Sequence, residues 1–257
     1  MTKRVECGEE LMTVKDTSSM RNMISVCMAT YNGERHIAEQ LSSIISQISE
    51  YDEIVIVDDC SSDFTLEIVR GFDDPRIRIF RNSKNLGVIR TFEKAIEESI
   101  GDLIFLSDQD DVWMPCKVQT SLEIFDGQHA DLILADAYIL VDGSVQLDTF
   151  FEFRRSSLGF TRNFFKNSFV GCCMSFRSSM KDYFLPFPDI ISMHDFWIGE
   201  IISVFGSVVK TDERMILYRR HENNVTDMSR SSIPKIVVMR FKNFYALFIR
   251  IVGIKFL

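Results

Sequence analysis

Positive charge is scarce in this chain of 257 residues: 29 Lys and Arg stand against 37 Asp and Glu, a formal net charge of -8. That balance argues against a nucleic-acid partner, which needs a basic footprint. Long apolar runs are missing too, so no segment reads as a membrane span. Residues 1–22 are polar and mixed in charge, which fits a frayed leader better than a secretory signal. Cys7, Cys27, Cys60, Cys116, Cys172 and Cys173 show no paired C-x-x-C spacing of a zinc site. Reduced, mostly buried thiols of a cytosolic protein are the expectation.

What is present is an alternation. Ile24 to Ala29 reads as a strand, and Ile37, Leu41, Ile44, Ile45 and Ile48 recur at helical spacing behind it. Glu53 to Val57 is a second strand, ending in Asp58-Asp-Cys-Ser-Ser-Asp63, with Ser62 or Asp63 a candidate cap for the next helix. Arg76 to Phe80 and a helix holding Ile89, Phe92, Ala95 and Ile96 follow. The fourth strand, Leu103 to Leu106, runs into three carboxylates, Asp108, Asp110 and Asp111, and Pro115 opens another helix. Repeated strand–helix units predict an α/β fold with a doubly wound, mostly parallel sheet and flanking helices. The acids then lie at the carboxyl end of a strand, where open α/β sheets bind ligands. Crowded carboxylates repel one another unless a cation relieves them, so a divalent metal holding a phosphorylated substrate is the functional reading. An acidic loop in water is the bland one.

Four segments, Ala29-Thr-Tyr-Asn-Gly33, Val57-Asp-Asp-Cys-Ser-Ser-Asp63, Asn85-Leu-Gly87 and Ser107-Asp-Gln-Asp-Asp-Val-Trp113, together resemble a family-2 glycosyltransferase of the GT-A fold. The last is similar to its counterpart in bacterial rhamnosyltransferases of cell-surface polysaccharides. The likeness runs from about Met23 to Asn224. It implies a nucleoside-diphospho-sugar donor, Mg2+ or Mn2+, and transfer with inversion at the anomeric carbon. L-rhamnose is the sugar it suggests. By that resemblance the backbone of Ala29, Thr30 and Tyr31 lines the base pocket, Asp59 hydrogen-bonds the base and Asp58 supports the turn. Asp108 and Asp110 are the acids of an Asp-x-Asp motif, with Asp110 the direct metal ligand and Asp108 touching both donor and metal. Asp111 falls behind them, as an outer partner or a helix cap. Arg90 or Lys84 is a candidate for the diphosphate. Cys60 stands where the family often has Gly, which argues against a left-handed residue at that turn.

In the second half, Leu132 to Leu140 reads as a strand, with Asp131 and Asp136 structural. Residues 150–169, dense in Phe and Arg, read as a packed connector or an acceptor wall. Asn167 to Phe176 resembles the family's strand beside the reaction centre, where Gly171 admits a close approach or a bend. In Met193-His-Asp-Phe-Trp197, Asp195 could cap a helix. Its place also matches the family's general base, which removes the acceptor hydroxyl proton, while His194 reads as a positioning or exposed residue. Ser207 to Lys210 and Met215 to Tyr218 read as two short strands. Beyond them His221 is a candidate third metal ligand, with Arg219 or Arg220 as phosphate partner.

From Arg230 the chain has Lys and Arg but no acid. Val238, Phe241, Tyr245, Phe248, Val252 and Phe256 form a charge-free stripe on a helix. Such a helix can lie on anionic lipid, or pack on the domain or a second subunit. The expected organisation is therefore a leader (1–22), a GT-A domain (23–228) and a basic amphipathic helical extension (229–257). The expected setting is cytoplasmic, in peripheral contact with the inner leaflet of the plasma membrane and acting on a glycan or lipid-linked acceptor. Two rival classes remain: a non-catalytic sugar-nucleotide or partner-binding module, and a nucleotidyltransferase. The second normally shows a Gly-rich, basic phosphate loop after its first strand, which Thr30-Tyr-Asn-Gly-Glu34 lacks.

Overall fold

The computed structural model describes residues 22–141, 144–154, 159, 163, 167–220 and 233–255. In chain order the elements begin β1 (Ile24–Thr30), α1 (Ile37–Ile45), β2 (Glu53–Asp58), α2 (Thr65–Arg70), β3 (Ile77–Arg81), α3 (Val88–Glu98) and β4 (Leu103–Ser107). A two-residue β5 (Val112–Trp113), α4 (Lys117–Gln128), β6 (Leu132–Val141), β7 (Ser144–Thr149) and α5 (Phe150–Arg154) follow. The chain continues through a 3-10 turn (Gly171–Cys173), β8 (Met174–Arg177), α6 (Lys181–Phe184), α7 (His194–Phe205), β9 (Val208–Arg220) and α8 (Ile233–Lys255).

All elements of strand type join one sheet, in the order β3-β2-β1-β4-β8-β6-β9-β5, with β7 on β6. β1, β2, β3 and β4 are parallel. Beyond β4 the sheet is mixed: β8 runs antiparallel to β4 and β6, while β9 runs parallel to β6. Order reverses at β1, which lies between β2 and β4, so the crevice past Thr30 and Ser107 is a topological switch point.

The residues explain the layers. Every residue of β2 and β4 is buried, and both are short apolar runs that suit a strand covered on two faces. Ile37, Leu41 and Ile44 of α1, and Phe92, Ala95 and Ile96 of α3, turn one helical face into that core. Thr149 and Glu152 form a reciprocal cap at α5: Thr149 N donates to Glu152 Oε2 at 2.8 Å and Glu152 N to Thr149 Oγ1 at 3.3 Å. Asp136 accepts Ala137 N and Phe151 N, and Asp131 accepts Ser207 N, so both acids serve structure.

Two expectations are corrected here. Residues 207–210 and 215–218 are not separate strands, because β9 runs unbroken from Val208 to Arg220. Its register against β6 shifts around Asp136, which absorbs the polar residues between the two apolar stretches. Cys60 does adopt the left-handed conformation, at φ 68°. Asp58 holds the turn closed by accepting both Ser61 N (3.0 Å) and Ser61 Oγ (2.5 Å), and the side chain bears the strain.

α8 docks on the domain through one face. Ala246 and Leu247 are buried, Asn243 Nδ2 donates to Ser192 Oγ at 2.8 Å, and Arg250 donates to the carbonyls of Tyr183, Leu185 and Pro186. The charge-free stripe of the sequence does not pack. Val238, Phe241, Tyr245, Phe248 and Val252 are exposed, joined by Phe244 and Ile249, and Phe256 lies outside the described residues. Among the described residues no helix is long and apolar enough to cross a membrane.

Candidate active site

The carboxyl ends of β1, β2 and β4 deliver three loops to one edge. In the first, Tyr31 N donates to Gln109 Oε1 and Gln109 Nε2 donates to Tyr31 O, both at 3.0 Å. The residue between the two acids of Asp108-Gln-Asp110 thus fastens the acidic loop to the first loop. Gly33 is needed beneath it, since a Cβ there would stand 2.2 Å from Gln109 Oε1. The Tyr31 side chain is half exposed.

Asp58 and Asp59 are both buried at the end of β2. Asp58 accepts Thr30 Oγ1 at 3.1 Å and closes the Ser61 turn, with Arg81 Nε 3.4 Å away. Asp59 accepts Asn82 Nδ2 (2.9 Å), Leu86 N (2.7 Å) and Gly87 N (2.8 Å). A carboxylate has about four acceptor directions, so Asp59 is engaged chiefly in ordering the loop before α3. Asp63 accepts Thr65 N at 3.0 Å and Glu34 N at 3.1 Å, linking the first and second loops.

The acidic loop is held from the far side of the sheet. β5 pairs with Leu217 and Ile216 of β9. Two residues further on, Arg219 N donates to Asp111 Oδ1 and Arg219 Nε to the Asp110 carbonyl, both at 2.9 Å. The guanidinium also meets Glu39 of α1 at 2.6 Å. Arg219 therefore turns Asp111 inward. Ligand atoms of Asp108, Asp111 and Cys172 all lie within 4.8 Å of one another. Burial, reinforced by Asp110, pushes Asp111 up to about 7. Burial and then the charges of Asp111, Asp110 and Asp195 hold Asp108 well above the usual carboxylate range, although part of its side chain meets solvent. Asp111 Oδ2 is buried and has no hydrogen-bond partner among the described residues.

That orphaned oxygen, beside a second acid and a thiol, is what a divalent cation would satisfy, so these residues fit one. The set differs from the expected one. Asp111, not Asp110, stands with Asp108, because the Arg219 amide and the β5–β9 pairing rotate the loop; Asp110 is near enough to raise both. Cys172 had not been singled out, and its adjacency to Cys173 in sequence gave no sign of it.

Asp195 lies close enough for its charge to act on Asp108. It is the second residue of α7, nearly buried, and Met193 occupies the cap position, where no side chain caps the helix. Asp195 is therefore not the cap residue itself, but it still serves a first-turn amide of the helix. Its Oδ1 accepts its neighbour Phe196 N at 2.6 Å, and its charge is felt by Asp108. His194 is neither exposed nor hydrogen-bonded among the described residues: its ring stacks on Phe92 at 4.2 Å, and burial pushes it down to about 3. Gly171 lets the backbone pass over that ring, since a Cβ would lie 2.9 Å from His194 Nε2.

The other basic candidates are not drawn in. Arg90 lies on α3 with its guanidinium on Glu93, Asp189 and the Phe187 carbonyl, so two carboxylates already hold it. Arg220 lies with its guanidinium 5.8 Å from the centre of the Phe153 ring. Lys84 is exposed, and His221 lies outside the described residues.

Comparison with known proteins is consistent with this edge. The sequence pattern of glycosyl transferase family 2 matches residues 25–184. TuaG of Bacillus subtilis, named as a teichuronic acid biosynthesis glycosyltransferase, is 24% identical over 213 residues, 81% of this chain and 83% of its own. RfbG of Shigella flexneri, named as a dTDP-rhamnosyl transferase, is 30% identical over 77% of this chain and 72% of its own. Among solved structures, TarS of S. aureus with UDP-GlcNAc superposes with a TM-score of 0.70 at 21% identity, over 86% of this chain but 65% of the TarS chain. PcManGT, a mannosyltransferase of Pyrobaculum calidifontis solved with GDP-Man and Mn2+, has a TM-score of 0.61 at 14% identity, over 91% of this chain and 74% of its own. These likenesses identify the fold as GT-A.

Proposed function

The chain belongs to glycosyl transferase family 2, and on that premise we propose that it is a cation-dependent inverting glycosyltransferase using a nucleoside-diphospho-sugar donor. The observation that carries this reading is the pairing of Asp108 and Asp111 at the end of β4, with a buried Asp111 oxygen that lacks a donor among the described residues and with the charge of Asp195 acting on Asp108. When bound there, Mg2+ or Mn2+ supplies positive charge for a departing diphosphate.

The protein's own residues do the rest. The Tyr31 ring and the backbone from Ala29 to Tyr31 bind the base, and Asp58 and Asp59 fix the loops around it. Asp195, whose charge acts on Asp108, takes the proton of the acceptor hydroxyl as its oxygen attacks the anomeric carbon. Attack from the side opposite the leaving group inverts that carbon. The name of RfbG supports dTDP-L-rhamnose as donor. The exposed apolar side of α8, on a segment without acids, supports a glycan or lipid-linked acceptor met at the cytoplasmic face of the plasma membrane.

The test has two parts. Melting of the full chain is followed with dTDP-rhamnose, UDP-GlcNAc and GDP-mannose, each with and without Mn2+; a ligand of the native state raises the midpoint. Transfer by Asp195→Asn should fall by about 10²–10⁴, the range of general-base contributions, with donor stabilisation retained. Unchanged transfer would remove Asp195 from the mechanism.

A further inference from the structure

Cys172 is the member of the edge cluster that neither the carboxylate chemistry nor the acceptor chemistry uses. It is fully buried, in the middle of the 3-10 turn from Gly171 to Cys173. Two features fix it. Cys173 N donates to Val170 O at 3.0 Å, closing the turn, and the buried Lys117 ammonium donates to the Cys172 carbonyl at 3.0 Å. Lys117 is itself held 4.9 Å from the centre of the Trp113 ring. The thiol is thus presented by backbone to Asp108 and Asp111, with ligand atoms of all three within 4.8 Å of one another. Asp111 Oδ2, buried and without a partner among the described residues, points to a missing positive group at the same spot.

We propose that Cys172 gives its sulfur to the cation held by Asp108 and Asp111, so that this site binds thiophilic divalent ions (Co2+, Zn2+, Cd2+) in preference to Mg2+. Softness is the reason: carboxylate and water suit Mg2+ and Mn2+, whereas a thiolate selects softer metals. A coordinating thiol is deprotonated by its metal, so the sulfur–metal bond forms as the sulfur–hydrogen bond breaks, and the proton passes to buffer. Zn2+ or Cd2+ would accordingly occupy the site at concentrations where Mg2+ does not. The inference deepens the cation-site reading above and does not depend on sugar transfer.

The test is a Co2+ titration of the full chain without donor, followed by optical absorption. The wild-type chain should show a sulfur-to-cobalt charge-transfer band in the near ultraviolet. Cys172→Ser, which keeps a small polar side chain at that place, should bind Co2+ without that band. It should lose Cd2+ affinity by at least the roughly 10–100-fold that loss of an outer-sphere partner costs a metal site, with Mg2+ affinity unchanged. Cadmium NMR of the wild-type chain reads sulfur among the ligands directly and stands if the variant does not fold. Co2+ binding by the wild type without the band overturns the sulfur ligand and leaves the carboxylate site intact. A band that persists in Cys172→Ser assigns the sulfur to another cysteine and overturns the proposal. No Co2+ binding at all overturns this inference together with the cation-site reading, whereas donor stabilisation without cation would separate that outcome from the base-binding loops.

Discussion

Glu200 offers a sharp test of the energetics around α7. It lies on α7, its side chain is fully buried, and neither carboxylate oxygen has a partner among the described residues. Burial pushes it from 4.5 up to about 8. At neutral pH the native protein therefore keeps a proton that the unfolded chain has released. Stability is unaffected below pH 4.5, falls as pH rises from there to about 8, and is flat beyond. Each tenfold step in proton affinity is worth about 1.4 kcal/mol, so the full loss approaches about 5 kcal/mol, an upper limit that relaxation of the site reduces. Glu200→Gln has the same shape and no charge. It should be more stable than wild type by a few kcal/mol at pH 8 and equal to it near pH 4.5. Urea unfolding at several pH values measures the difference, with equal slopes showing that compactness is unchanged. His194 acts on the other flank: its proton affinity is depressed from 6.5 to about 3, so native stability falls as pH drops through that range in both proteins. Asp111, raised to about 7, is common to both and cancels in the comparison. A gap between Glu200→Gln and wild type that stayed constant from acid to alkaline pH would refute the burial argument.

Two further outcomes follow from the geometry. Cys60→Gly, at φ 68°, relieves left-handed strain of about 1–2 kcal/mol but adds unfolded-chain entropy; a net gain of about 1 kcal/mol in denaturant unfolding is expected. A loss would show that the Cys60 side chain packs usefully. Phe241→Glu with Phe248→Glu places two acids on the exposed side of α8. Co-sedimentation with vesicles containing anionic lipid should drop at least tenfold, with melting unchanged; equal sedimentation would direct attention to a protein partner for that face.

Much of the first half was legible because its signals are local. β2 and β4 are short apolar runs, and α1 and α3 carry their core residues at helical spacing, so neighbours in sequence decide the element. Loop orientation is different. Which acid of Asp108-Gln-Asp-Asp111 turns inward is set by Arg219, 108 residues away from Asp111 in sequence. No spacing within the loop carries that information, which is why Asp110 and not Asp111 was favoured. Arg90 shows the same limit: the sequence offers it as a diphosphate candidate, and only the fold places Asp189 beside it. On α8 the stripe residues Val238, Phe241, Tyr245, Phe248 and Val252 are exposed. Apolar residues such as Ala246 and Leu247 line another side, however, and periodicity cannot say which of two apolar sides meets the domain.

The Arg250 anchor has a mechanical corollary. Its guanidinium grips the carbonyls of Tyr183, Leu185 and Pro186 and sits 5.5 Å from the centre of the Trp197 ring. Trp197 in turn donates to Phe184 O at 2.8 Å and stands two positions along the helix from Asp195. α8 is thereby tied to α7, the helix that carries Asp195. Whatever surface α8 contacts therefore bears on how that carboxylate is held.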